Sequence, residues 1–440
     1  SGREILLRFA ACEIGRPLLL VSARGLSADR LVAAFREASI QSAILALRDA
    51  RDLMSDNDAA MRLRECLAVY PDSVALIATP GASPLFANLR PLTEVTVRVP
   101  PHGERLRLWS TWLGDHGLRD DELHQVAGLY NLGVGGILEA SAAARDAAQF
   151  AGVPLAREHI GSAVRQLFES DLTTVATRME VTQTWDDVVL PDEIAEGVEG
   201  IIDRIYLRGN VLGDWGFARK LGKGLGLTVL FSGEPGTGKS MVAGLIAREL
   251  GLDLYTVDLS RITSKWLGET EKNLGRAFDA AEAGHVLLLF DEADSVLGKR
   301  TTEMRGANDR YANMESNFIL ARLEQFQGVA FFTTNLASAI DAAMMRRMSV
   351  HIRFPFPDVE ARAELWRRML PAEAPVAAHI EFEELARRFE VSGGFIRNIV
   401  VRSAYLAARK GVPIGMKELT HAAEQEYRER GSLIIGGRLV

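Results

Sequence analysis

A run of eight residues, Gly233-Glu234-Pro235-Gly236-Thr237-Gly238-Lys239-Ser240, narrows the choice of folds more than anything else in this 440-residue chain. It follows an apolar, β-branched stretch (residues 227–231) and opens a helix-forming one (residues 240–250). Strand, glycine loop and helix in that order make G-x-x-x-x-G-K-[ST] a phosphate-binding device rather than a chance turn. The glycines let backbone N–H groups face phosphate oxygens with no Cβ in the way. The helix start adds its positive dipole end, Lys239 can reach the terminal phosphates, and the Ser240 hydroxyl can ligate Mg²⁺. A chain built around such a loop is α/β.

A second stretch, His285-Val286-Leu287-Leu288-Leu289-Phe290-Asp291-Glu292-Ala293-Asp294, lies downstream. Its continuous apolar run reads as a parallel strand buried on both faces. Two carboxylates at its end sit where doubly wound sheets place ligands, outside the carboxyl edge. Asp291 is expected to hold Mg²⁺, and Glu292 to polarise the water that attacks a γ-phosphate. An acidic pair after a strand is often only a helix cap, but a cap does not explain why it accompanies the glycine loop.

The two motifs together resemble the AAA+ ATPases, and more closely the AAA subfamily of protein-remodelling motors. Thr333-Thr334-Asn335 ends another apolar strand, where the family places its sensor 1 residue near the γ-phosphate, which gives Asn335 that role. Asp341-Ala342-Ala343-Met344-Met345-Arg346-Arg347 resembles the segment carrying paired arginine fingers, so Arg346 and Arg347 are expected to complete a neighbour's site. Gly394-Phe395-Ile396-Arg397 resembles the G-x-x-R of sensor 2, although many members of the subfamily lack the arginine. The resemblance implies nucleotide contacts from Gly233 to Ser240 and from Gly394 and Arg397.

Ser264-Lys265-Trp266-Leu267-Gly268-Glu269 looks like the family's first pore loop, whose aromatic grips a threaded polypeptide. The wording is similar to that of the microtubule-severing and membrane-remodelling members. A lone Trp is more often a half-buried packing residue, but polar and glycine flanks place this one on an exposed loop. Lys265, Trp266 and Leu267 are therefore the expected substrate contacts. The charged stretch 299–308 stands where the second pore loop belongs.

A net charge of −7, with no basic patch interleaved with aromatics, argues against a nucleic-acid groove. Two cysteines, Cys12 and Cys66, imply no disulfide framework or zinc cluster, and a cytoplasmic place is expected. No apolar run approaches the ~20 residues of a membrane span, and no signal peptide is apparent at the first residues.

The chain also repeats itself. Residues 35–54 align without a gap to residues 278–297. Gly15 matches Gly251, which sets Arg3 against Lys239; residues 74–80 match 329–335, Arg98 matches Arg353, and Trp109 matches Trp366. Residues 131–137 match 390–396 less closely. The first part thus reads as a second AAA+ module, its first residues falling at its own phosphate loop.

Across that alignment the chemistry is lost. Arg48 stands at Asp291, Asp49 at Glu292, Pro80 at Asn335, Pro91 and Leu92 at Arg346 and Arg347, and Leu138 at Arg397. The offset between aligned residues grows from Gly15/Gly251 to Phe35/Phe278 and again to Val74/Val329, so the connections holding the pore loops are seven and twelve residues shorter. The fold expected is two AAA+ modules, each a parallel-sheet core plus a helical lid, the first truncated and degenerate. Residues 1–100 make the first core, 101–170 its lid, 171–184 a linker, 185–357 the active core, 358–430 its lid and 431–440 a tail. Residues 185–190 resemble the segment that lays backbone against adenine, or are simply a linker with a buried Val pair. Function follows as a Mg-ATP-hydrolysing ring, a hexamer by resemblance, that threads and remodels a protein. An ATP-gated scaffold, or less readily a nucleic-acid motor, stays open.

Overall fold

The computed structural model describes residues 2–55, 57–78, 86, 91–114, 117–172, 176–222, 224–257, 275, 277–279, 281–282, 286–294, 318–429, 434–435 and 438–439. The chain forms two compact units, one of residues 1–116 and 131–152, the other of residues 117–130 and 153–440. The helices expected as one lid over residues 101–170 are thus divided between the units.

In the first unit, strands β1 (Leu18–Ser22), β2 (Ile44–Arg48) and β3 (Val74–Ile77) form a parallel sheet in that order. Helices Gly2–Ile14, Ala28–Ile40 and Asn57–Val69 accompany it. Leu31, Phe35, Leu45, Leu47 and Leu63 make its core, and Phe35 meets Tyr70 edge-on with ring centres 5.0 Å apart. Helices His102–Leu113 and Val134–Ala151 complete the unit, with Trp109 fully buried.

The second unit is a six-stranded sheet in the order β4-β6-β7-β8-β5-β9. Its strands are β4 (Ala176–Arg178), β5 (Leu227–Gly233), β6 (Leu254–Val257), β7 (Leu287–Phe290), β8 (Val329–Thr334) and β9 (Val350–Phe354). All pair in parallel except β4, which runs antiparallel to β6. Every residue of β7 and β8 is buried, as expected of strands covered on both faces. Stacked Phe290 and Phe332, 4.8 Å between ring centres, join those two strands. Strand β5 lies between β8 and β9, so the loop at its end opens where connections leave toward opposite sides. The expected linker of 171–184 is not plain connection, because β4 adds an edge strand there and Arg178 pairs with Asp253 at 2.9 Å.

Helices Val359–Arg368, Phe382–Arg388, Gly393–Lys410 and Met416–Glu429 share a separate core around Trp366, Phe389, Ile396, Ile399 and Leu419. The buried stripe of Gly393–Lys410 runs through Ile396, Ile399, Val400, Ser403 and Ala407, while Phe395 and Leu406 are only partly covered. Buried Arg362 ties the bundle down, donating from Nε to the Ala386 carbonyl (2.9 Å) and from Nη1 to that of Pro357 (2.6 Å).

The aligned halves share more than strand order. The β1–β2 register, Leu18 opposite Ile44, equals the β6–β7 register, Leu254 opposite Leu287; β2–β3 differs from β7–β8 by one residue. Helices His102–Leu113, Val134–Ala151 and Arg157–Leu172 begin at the positions aligned with Val359, Gly393 and Met416. Buried Arg105 donates to the carbonyl of Pro100 at 2.8 Å, the same reach of five residues that Arg362 makes to Pro357. Two of the three non-glycine residues with left-handed backbone among the described residues are Asp49 (φ 56°) and Glu292 (φ 51°), an aligned pair. No helix among the described residues is long and apolar enough to cross a membrane.

Candidate functional site

The glycine loop is built by backbone that only glycine tolerates. Gly233 ends β5 at φ 150°, and a Cβ there would come within 2.3 Å of the Phe354 carbonyl oxygen on β9. Gly236 (φ 78°) and Gly238 (φ 96°) hold left-handed turns, and Gly238 caps helix Lys239–Leu250. Between them Thr237 Oγ1 donates to the Glu234 carbonyl at 2.9 Å, while Glu234 and Pro235 stay exposed. The result is a phosphate-sized cradle at a helix N-terminus.

Lys239 is buried, with 7% of its surface exposed. Its ammonium donates to the carbonyls of Gly233 (2.7 Å) and Glu234 (2.8 Å) and to Asn335 Oδ1 (3.0 Å), which occupies all three of its protons. Burial pushes its pKa down, opposed by the carboxylates of Asp291 and Asp294. The same lysine therefore joins the ends of β5 and β8.

Asp291 and Glu292 follow β7 and face solvent. Asp291 Oδ1 accepts from Ser240 Oγ at 3.0 Å and from Thr333 Oγ1. Glu292 N–H donates to Thr333 Oγ1 at 3.1 Å, and Ala293 N–H to the Thr333 carbonyl at 2.8 Å. A hydroxyl and a carboxylate converging beside the phosphate cradle are the hard oxygen donors that Mg²⁺ takes, so Ser240 and Asp291 fit that ion. Thr333 was not marked as a site residue by sequence; a hydroxyl two positions before Asn335 was its only signal.

Helix Gly393–Lys410 meets this loop directly. Gly394 N–H donates to the Gly236 carbonyl at 3.0 Å, and a Cβ on Gly394 would lie 3.1 Å from Gly236 Cα. Arg397, on the second turn of the same helix, is exposed with no hydrogen-bond partner among the described residues. Trp185-Asp186-Asp187 forms a short helical turn whose Asp186 and Val188 carbonyls accept from Arg368 at 2.9 and 3.0 Å.

The two expected arginine fingers part company. Arg346 is exposed, with no hydrogen-bond or ion-pair partner among the described residues. Arg347 is held within its own chain, by the Ala343 carbonyl (2.9 Å) and by the Glu324 carboxylate. Lys265, Trp266, Leu267, the stretch 299–308 and Pro80 lie outside the described residues.

In the first unit, the counterpart of this arrangement carries inverted charge. Glu4 stands at the position aligned with Ser240, and its Oε1 lies 3.5 Å from Arg48 Nη1. Arg3, aligned with Lys239, donates to the Ala78 carbonyl just past β3 (2.5 Å). A guanidinium thus stands where the second unit presents its carboxylate, and Pro91 and Leu92 are exposed at the aligned arginine positions.

A parallel sheet of this order, with a glycine loop after β5 and paired carboxylates after β7, defines the second unit's core as a phosphate-loop nucleoside-triphosphatase domain. Residues 229–356 match the family described as ATPase family associated with various cellular activities (AAA), and so form an AAA-family ATPase domain. Among curated relatives, katanin p60 ATPase-containing subunit A1 of Strongylocentrotus purpuratus is 29% identical over 46% of this chain and 41% of its own. Vacuolar protein sorting-associated protein 4B of Mus musculus is 31% identical over 40% of this chain and 41% of its own. The cell division cycle protein 48 homolog of Archaeoglobus fulgidus is 32% identical over 45% of this chain and 28% of its own. The matched region spans less than half the length of each of these relatives.

Proposed function

We propose that the chain is a Mg-ATP-hydrolysing motor which assembles as a ring, a hexamer by family resemblance, and remodels a protein threaded through its pore. The observation that carries this reading is the convergence of Lys239, Ser240, Asp291 and Asn335 through hydrogen bonds of 3.0 Å. ATP lies with its phosphates along Gly233 to Ser240 and the lid glycine Gly394 beside them. Lys239 carries the charge of the terminal phosphates, and Asn335 orients what stands between β8 and the γ-phosphate. Ser240 and Asp291 would hold Mg²⁺, which neutralises charge developing on the β- and γ-oxygens. Glu292 takes the proton of the attacking water as its oxygen bonds to phosphorus and ADP leaves.

Arg346, exposed and unpaired among the described residues, suits a finger presented to a neighbouring copy. Arg347, engaged by Glu324, suits a sensor that holds the finger segment to the chain just before β8. Lys265, Trp266 and Leu267 are assigned to substrate on sequence resemblance, and Arg397 to the nucleotide on the same ground. The first unit is read as a degenerate AAA+ module. Its shared register, its helix starts and the Arg105–Pro100 contact support the fold; the Glu4–Arg48 pair supports loss of metal binding.

Affinity capture from the native cell with Glu292→Gln and ATP tests the proposal. A polypeptide retained with ATP and released with ADP supports a remodelling motor and names its client. Capture of nucleic acid, or of this chain alone, overturns threading in favour of a loader or an ATP-gated scaffold.

A further inference from the structure

Thr333 makes three contacts with the segment that carries both acidic residues. Its hydroxyl donates to Asp291 Oδ1 and accepts from the Glu292 N–H at 3.1 Å, while its carbonyl accepts from the Ala293 N–H at 2.8 Å. The side chain is buried, with 1% exposed, although the carboxylates it serves face solvent. Glu292 adopts φ 51°, a conformation that a non-glycine residue keeps only where its surroundings hold it.

The first unit separates two explanations of this clamp. Ala78 stands at the aligned position and has no hydroxyl, yet Asp49 keeps the left-handed turn at φ 56°. The turn therefore does not need the hydroxyl. What the hydroxyl adds is direction. With its proton on Asp291 Oδ1, it leaves Asp291 Oδ2 outside this contact, and its lone pair anchors the backbone from which Glu292 projects.

We infer that Thr333 is a positioning residue for the ATPase reaction, which sets the Asp291 carboxylate toward the Mg²⁺ position and Glu292 toward the attacking water. This rests on the reading of the site proposed above. Groups that orient ligands in this way are worth about 10–100-fold in metal affinity or activity.

The test compares Thr333→Val, which keeps the volume and loses the hydroxyl, with Thr333→Ser, which keeps the hydroxyl, in the full chain. Binding of a fluorescent ATP analogue is titrated with Mg²⁺ and repeated in EDTA, and steady-state kcat and KM are measured. Thr333→Val is expected to shift the Mg²⁺ midpoint upward by about 10-fold and to lower kcat by about 10–100-fold. Metal-free nucleotide binding stays unchanged, and Thr333→Ser returns the first two values to within about 3-fold of the original. Should Thr333→Val fold poorly, Thr333→Ala reproduces the side chain that the first unit carries at Ala78 and gives the same readout. A Thr333→Val midpoint and kcat equal to the original, or a Thr333→Ser as impaired as Thr333→Val, overturns the inference. Hydrolysis that survives Lys239→Ala instead sinks the reading of the site as a whole, whatever Thr333 does.

Discussion

The ends of β2 and β7 share a left-handed turn and carry opposite electrostatics. Each strand runs into a left-handed residue, Asp49 in one and Glu292 in the other. After β7 a hydroxyl and a carboxylate meet at 3.0 Å, whereas after β2 a carboxylate and a guanidinium meet at 3.5 Å. The comparison teaches that this backbone and this chemistry are separately maintained. The left-handed turn is kept in both places, and the chemistry sits on a few side chains that can change without disturbing it.

The sharpest way to break the comparison is to remove one carboxylate from each end. Glu292→Gln is expected to lower kcat for phosphate release by about 10³-fold, the scale of a lost general base, and Asp49→Asn to leave it unchanged. A comparable fall in Asp49→Asn would mean that the first unit contributes to the reaction, and the two ends would no longer be opposites.

The two buried arginines probe the matching geometry of the two aligned segments. Arg105→Met strands the Pro100 carbonyl and Arg362→Met those of Pro357 and Ala386, which now accept from a charged donor, at a cost of about 2–3 kcal/mol in urea unfolding. Arg362→Met is expected to cost the more, since it abandons both Pro357 and Ala386. A loss at Arg362 with none at Arg105 would make the matching geometry incidental.

An effect confined to alkaline pH concerns Tyr130, aligned with Phe389 and buried like it. Burial pushes the Tyr130 phenol from its ordinary 10 up to about 12. A group whose pKa rises on folding gives stability that is complete below the unfolded value and disappears as pH rises through the folded one. The protein should therefore lose up to about 3 kcal/mol between pH 10 and 12, and Tyr130→Phe should flatten that part of the curve. An alkaline slope identical in Tyr130→Phe would place the loss elsewhere.

Much of this could be read from the residues alone. The strands β5, β7 and β8 are legible because a strand covered on both faces needs an unbroken apolar run. The glycine loop is legible because Gly233, Gly236 and Gly238 take backbone angles that other residues resist. Strand β4 was hidden, since Ala176-Thr177-Arg178 is too short and too polar to show a period, and pairing with β6 alone makes it a strand. The division of residues 101–170 between two units was hidden as well, because amphipathic helices do not record which core they join.

By itself the sequence determined the phosphate loop, the acidic pair and the order of apolar runs, all properties carried by residues close together in the chain. Only the tertiary structure decided that Ser240 and Asp291 touch across 51 residues, that Thr333 clamps both acidic residues, and that Glu324 holds Arg347 while Arg346 stays exposed. Such choices turn on distances between elements far apart in the chain, which a hydrogen bond resolves to tenths of an ångström and a local pattern does not encode.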